Sequence, residues 1–313
     1  MRVILSRKGF DSSTGGIPSA ILPNGIMLSF PIPDIVGTLR YSELKIEQFL
    51  PRDIAGLKNL LDLLKLLTKR GNIKIKSQKI DLTENPYCHL DPDIYNSYVD
   101  RLDGWRGIFG QVGAAQSHLR NQGVKIGDLF LFFGWFKETE KINGSLRWKS
   151  GAKNGRHIIY GYLQVGKILE LFPDMINTIM GYKTSERYAI RDWMRHHPHL
   201  NPDFVKKNRK AKYNTLYIAR ERLLIDGKEY SRPGWGVFYY SESLVLTKKG
   251  ERRRSYWQLP SFFKKLKISY HSEKSWQGNI FKSARIGQEF VIQEDSRVVE
   301  WAKNLIMENE LVQ

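Results

Sequence analysis

Two apolar runs constrain this chain more than anything else in its 313 residues. Leu129 to Phe136 reads LFLFFGWF, Ile158 to Val165 reads IIYGYLQV, and a polar stretch separates them. Runs this short fall well below the ~20 apolar residues of a membrane-spanning helix, and their content of aromatic and branched side chains suits strands covered on both faces. They predict a hairpin at the heart of a small barrel or a strongly curled sheet.

Weaker signals surround the hairpin. Arg2 to Leu5, Leu216 to Ala219, Gly236 to Tyr240 and Leu244 to Thr247 read as further strands, and the alternation of Ile with Lys from Ile73 to Ile80 reads as a half-exposed one. Helical spacing of leucines predicts a helix from Ile54 to Thr68; Gln111 to Gln122 and Val298 to Met307 read as two more. The fold class is therefore α+β, a mixed architecture of barrel or curled sheet with flanking helices. No repeat and no low-complexity linker divides the chain, so residues 1–313 are expected to form one composite domain. A soft division near 120 would separate an N-terminal loop and helix region, 1–120, from a barrel-containing region, 121–313.

Charge points to the partner. Fifty Lys and Arg against 32 Asp and Glu leave +18, while 41% hydrophobic residues exclude a disordered polycation. Phosphate is the natural counter-charge. Lys206, Lys207, Arg209, Lys210 and Lys212 form one basic run; Lys248, Lys249, Arg252, Arg253 and Arg254 form another, followed by Tyr256 and Trp257. Cations give salt-sensitive, sequence-blind affinity for a backbone, and an adjacent aromatic such as Trp257 can stack on an exposed base. The alternative for either run is a solvated face. With no apolar span of about 20 residues, no secretory signal and the single Cys88, the chain reads as cytoplasmic, without a disulfide framework or a membrane partner.

Chemistry-bearing residues gather in a few places. Ser6, Arg7, Lys8, Asp11, Ser12 and Ser13 precede Gly15 and Gly16, a mixture of cations, hydroxyls and one carboxylate that fits a binding loop and lacks the Gly-Lys-Ser/Thr order of a Walker loop. The segment CHLDPD holds Cys88, His89, Asp91 and Asp93. It supports three readings: divalent-metal ligands, a Cys nucleophile beside a His, or an Asp-Pro turn with a buried thiol. His196, His197 and His199 lack the cysteine pair or helical spacing of a zinc site, since Pro198 interrupts them. No cofactor and no metal is assigned.

These residues sit within blocks that carry a resemblance. SRKGFDSSTGGIPS (Ser6 to Ser19), HLDPD (His89 to Asp93), FGQVGAAQSHL (Phe109 to Leu119), GVKIGDLFLFFGWF (Gly123 to Phe136) and GQEFV (Gly287 to Val291) resemble the nucleotide modification associated domain family, third type. The resemblance implies a place beside enzymes that install or process altered DNA bases, and implies no particular reaction. Val124 to Val165 is also similar to PUA-like barrels, whose relatives bind flipped-out modified bases.

The resulting expectation is a DNA-binding protein of a base-modification or modified-DNA restriction system, working with other proteins of a base-modification operon. The base pocket would draw on Ser6, Arg7, Lys8, Ser12, Gln111, Gln116, His118, Phe133, Trp135, His157 and Tyr160. In an enzyme, Asp11, His89 or Asp91 would handle protons and Cys88 would attack an electrophilic carbon, as in hydration of a 7-cyano-7-deazaguanine base to its amide. In a reader or recruiting subunit, no chemistry follows.

Overall fold

In the computed structural model, described for residues 1–151, 154–171, 191–208, 210–211, 213–285 and 287–311, the two apolar runs pair as expected. Strand β10 (Leu129–Ile142) runs antiparallel to β12 (Arg156–Glu170), Leu129 opposite Gln164 and Phe136 opposite Arg156, with a bulge between Phe132 and Phe133. On one side β1 (Val3–Arg7) lies parallel to β10, and β20 (Glu289–Val291) antiparallel to β1. On the other, β12 pairs with β13 (Asn214–Ala219), and β13 with β9 (Ile108–Val112). Four short strands, β2 (Ser19–Ile21), β3 (Met27–Leu28), β11 (Ser145–Trp148) and β16 (Trp235–Val237), complete a ten-stranded sheet.

The sheet curls until its two edges meet through side chains: Gln111 on β9 donates to Glu289 on β20 across 2.8 Å. Inside the curl, Phe109, Phe130, Phe132 and Tyr217 form an aromatic core with ring centroids 4.9 to 6.1 Å apart. All four are essentially buried. Their edge-to-face and offset contacts are the geometry aromatic quadrupoles favour, and truncating one such ring to alanine typically costs about 3–5 kcal/mol.

Four described α-helices pack around the sheet. Helix α1 (Leu60–Leu67) begins later than the leucine spacing predicts, because the capping box between Asn59 and Asp62 fixes the first turn after Lys58. Helix α2 (Gly113–Asn121) starts after Gln111, which belongs to β9 and so projects into the sheet's interior. Helix α3 (Pro202–Lys207) starts on Asn201, and α4 (Ser296–Asn309) spans the predicted C-terminal amphipathic helix.

The Ile/Lys alternation proves to be two strands, β6 (Asn72–Ile75) and β7 (Gln78–Asp81); the change of phase is the turn at Lys76, whose φ is 55°. Leu244 to Thr247 makes only isolated bridges after a 3₁₀ turn. A three-stranded sheet holds β8 (Tyr87–His89) between β4 (Ile32–Asp34) and β5 (Leu39–Arg40). Two small sheets remain: β14 (Leu224–Ile225) with β15 (Lys228–Glu229), and β19 (Ile280–Lys282) between β17 (Tyr256–Trp257) and β18 (Trp276–Gln277). Among the described residues no helix is long and apolar enough to cross a membrane.

Candidate functional site

At one end of the curled sheet the interior changes from aromatic to polar. Side chains alternate along a strand, so Ser6 and Lys8 share a face that Arg7 does not. Ser6 lies opposite Glu289 in the β1–β20 register, and Gln111 opposite Thr215 in the β9–β13 register. Lys8 Nζ is 3.0 Å from Glu289 Oε1, with the two side chains 8% and 1% exposed, and lies 4.2 Å above the Phe109 ring. Ser6 Oγ, Thr215 Oγ1 and Glu289 Oε2 are buried and have no protein partner. Buried polar atoms are almost always paired, so three orphans around one ion pair make this cluster a candidate to receive polar groups from outside the chain.

Gln116 and His118 border the same region. Gln116 Oε1 accepts from the Tyr217 hydroxyl at 3.0 Å, and burial pushes that phenol above its ordinary pKa. His118 Nε2 lies 3.0 Å from Ser269 Oγ, which donates to the Glu289 carbonyl, and its ring centroid is 4.2 Å from that of Tyr270. Four predicted pocket residues, Ser6, Lys8, Gln111 and His118, thus collect around Glu289, and Gln116 meets Tyr217 in the adjoining aromatic core.

Beside this recess is a second polar cluster. The Asp91 carboxylate accepts from Gly110 N at 2.7 Å and faces His197 Nε2 at 3.4 Å. Burial raises an aspartate's pKa; here His197 and then Lys8 outweigh it and hold Asp91 well below the usual carboxylate range. Burial pushes His199 down to about 3. His199 Nδ1 lies 2.7 Å from Asn214 Oδ1, and His89 Nδ1 lies 3.1 Å from Asp34 Oδ2. Gly110 is required sterically: a Cβ there would come within 2.5 Å of His199 Cδ2 and 2.8 Å of His197 Cε1. Asp93 is structural, in a bidentate pair with Arg101 at 2.6 and 2.8 Å.

On the opposite face of β1, Arg7 packs against Phe133 and Phe290 and donates to the carbonyls of Ala284 and Arg285. Burial lowers its pKa despite the nearby Asp11. Asp11 builds the loop: its Oδ1 accepts from Ser13 N, Ser13 Oγ and Thr14 N, each at 2.7 Å. Gly15, at φ +85°, packs so closely under Phe10 that a Cβ would fall 2.1 Å from the ring. Arg254 donates to Ser12 Oγ at 3.1 Å and stacks 4.1 Å from the Trp135 ring, which places the second basic run against the N-terminal loop.

Several predicted side chains are core components. Phe133 and Tyr160 are fully buried, and His157 accepts from Trp257 Nε1 at 3.1 Å in a buried contact. Trp257 is itself fully buried, so it is not placed to stack on a base. Cys88 points away from His89, hydrogen-bonds the Leu39 carbonyl at 3.5 Å, and is pushed far above its usual pKa by burial, which disfavours a thiolate nucleophile. Lys206, Lys207, Lys210, Lys249, Arg252 and Arg253 are exposed and Lys248 half-buried. Arg209 and Lys212 lie outside the described residues. The first basic run adjoins the histidines through Phe204, whose ring is 4.6 Å from His199 and 5.4 Å from His89.

Glu289, Thr215, Asn214, Asp34 and His199 were not among the residues that the sequence singled out as site members. Glu289 lies in GQEFV and the histidines in RHHPHL, so the signal was present, but only the fold brings these segments together.

A mixed α+β protein with a buried, charged cluster joining the two edges of a curled sheet is the class that fold and site define. The chain matches the nucleotide modification associated domain 3 over residues 2–293 and belongs to that family. Neither a curated protein nor a solved structure matches it. The likeness of 124–165 to PUA-like barrels therefore rests on sequence alone.

Proposed function

We propose that this protein holds DNA on its basic segments, takes one base out of the stack into the recess of Ser6, Lys8, Gln111, Thr215 and Glu289, and changes it chemically. The observation that carries this reading is the buried Lys8–Glu289–Gln111 arrangement with three unpartnered oxygens around it. A buried ion pair is a poor source of stability, and charged groups kept at such a cost cluster at functional sites. Glutamine, carboxylate and hydroxyls match the donors and acceptors of a base edge, and a base can present that edge to a protein interior only after leaving the stack, at a few kcal/mol. Membership of a family named for nucleotide modification supports the substrate class.

A reader that binds a modified base without altering it is the second reading. It is favoured by the state of two catalytic candidates, since Asp11 is engaged in building its loop and Cys88 is sealed in the core. The test is to incubate the full chain with DNA carrying deazaguanine, methylated or glucosylated bases, with divalent metals supplied, and to digest to nucleosides for mass spectrometry. A changed nucleoside with wild type, lost in Glu289→Gln, supports catalysis at the recess. An unchanged profile across the panel removes catalysis by the isolated protein.

A further inference from the structure

We propose that His89, Asp91 and His199 hold a divalent first-row transition-metal ion, at a site that stands whether or not the neighbouring recess takes a base. One ring nitrogen of each imidazole and one Asp91 oxygen all lie within 4.8 Å of one another. The three come from different parts of the chain: His89 ends β8, Asp91 follows it, and His199 sits in a short 3₁₀ turn over Pro198–Leu200. The backbone of Asp91 donates to the His89 carbonyl at 2.8 Å, but no side-chain hydrogen bond joins the three among the described residues; their side-chain bonds run outward.

Those outward bonds decide which atoms face inward. Asp34 Oδ2 and Asn214 Oδ1 accept, so Nδ1 of His89 and Nδ1 of His199 carry the protons and each Nε2 keeps its lone pair. A carboxylate or amide oxygen behind each imidazole is the outer shell that fixes the tautomer of metal-binding histidines. His197 serves Asp91 in the same way. Its Nδ1 accepts from His199 N at 3.3 Å, which leaves the proton on Nε2, an atom 3.4 Å from Asp91 Oδ1 that makes no hydrogen bond among the described residues. The Gly110 amide takes the same oxygen, so Oδ2 is left to ligate.

Imidazole nitrogens select transition ions over Mg²⁺ and Ca²⁺, which prefer sets made of oxygen. Donors about 2.0–2.2 Å from a single ion lie about 3–3.5 Å from one another, so these, within 4.8 Å of one another, close further when the ion binds. Two histidines and one carboxylate leave further coordination positions open, as in non-haem iron sites. Gly110, which donates to Asp91, directly follows Phe109, whose ring lies 4.2 Å from Lys8 Nζ, so the ion would lie beside the Lys8–Glu289 pair.

The experiment uses full-length protein stripped with a chelator and titrated with Co²⁺, followed by visible absorption, with metal content measured after gel filtration. One equivalent per chain is expected for wild type. Asp91→Asn and His199→Gln should each weaken binding by about 100-fold or more, Asp34→Asn by roughly 10- to 100-fold, and His196→Ala, an exposed neighbour, should leave it unchanged. Circular dichroism checks each fold; should Asp91→Asn not fold, the half-buried Asp34 carries the test. No Co²⁺ bound by stripped wild type at about tenfold above a micromolar Kd, or equal binding by folded Asp34→Asn and His199→Gln, overturns the proposal. Because the readout is metal binding and not base conversion, it can fail while the proposed function stands.

Discussion

Replacing Lys8 by Met leaves Glu289 buried without its counter-charge, and the cost can be worked from the contact. At 3.0 Å and an effective dielectric of about 20, the gross attraction is about 5.5 kcal/mol. Desolvation already opposes much of that attraction in the wild type, so the measured cost reflects the stranded carboxylate, about 3–5 kcal/mol when one partner of a buried pair is removed. With a urea m-value of about 3 kcal/mol/M, the unfolding midpoint should fall by roughly 1–1.7 M. The double variant Lys8→Met/Glu289→Leu removes both charges and should recover to within about 2 kcal/mol of wild type, while Gln111 loses its acceptor. Urea denaturation followed by fluorescence and circular dichroism gives both numbers. A loss below about 1 kcal/mol for Lys8→Met is the value for a solvated surface pair, and would refute the reasoning that the recess is a desolvated, specialised place.

Three further outcomes follow from particular residues. Burial holds the His157 pKa well below its ordinary value, so below about pH 6.5 the unfolded chain binds a proton that the folded chain refuses; stability should fall with pH by about 1.4 kcal/mol per unit there, and His157→Phe should flatten a plot of urea midpoint between pH 7 and pH 5. Gly110→Ala drives a methyl against His199 and His197 and should cost about 1–3 kcal/mol in the same assay; an unchanged midpoint would mean the histidines can move aside freely. Arg252→Ala with Arg253→Ala, both exposed, should weaken DNA binding and lower the slope of log K against log salt by about 1 for each phosphate no longer neutralised, and an unchanged slope would place DNA elsewhere.

Much of the framework was legible because it depends on local pattern. The apolar runs specified the β10–β12 hairpin, and the amphipathic period specified α4. Pattern does not show which face of a twice-covered strand is lined with what: Phe133 and Tyr160, candidate pocket walls, and Trp257, a candidate to stack on a base, prove to be core. Cys88 and His89 are adjacent in sequence, yet alternation along β8 sends the thiol into the core and the imidazole toward Asp34. Pro198 breaks helical spacing around His199, an argument that excludes only ligands on one helix. Here the partners lie more than 100 residues apart in sequence and meet only through β8 and the turn before α3. Glu289 is hidden for the same reason, since Lys8 follows the neighbouring strand β1 from the other end of the sequence and Gln111 lies on β9 at the opposite edge of the curl.

What matters most is whether the recess distinguishes one base from another. Fluorescence anisotropy at fixed salt, with oligonucleotides identical except for a single altered base, measures this directly in wild type and in Glu289→Gln. The expected result is a preference for at least one altered base that drops toward unity in Glu289→Gln, with the salt slope unchanged because the basic segments are intact. Equal affinity for every oligonucleotide in wild type, or a preference that survives in Glu289→Gln, would contradict base recognition at the recess.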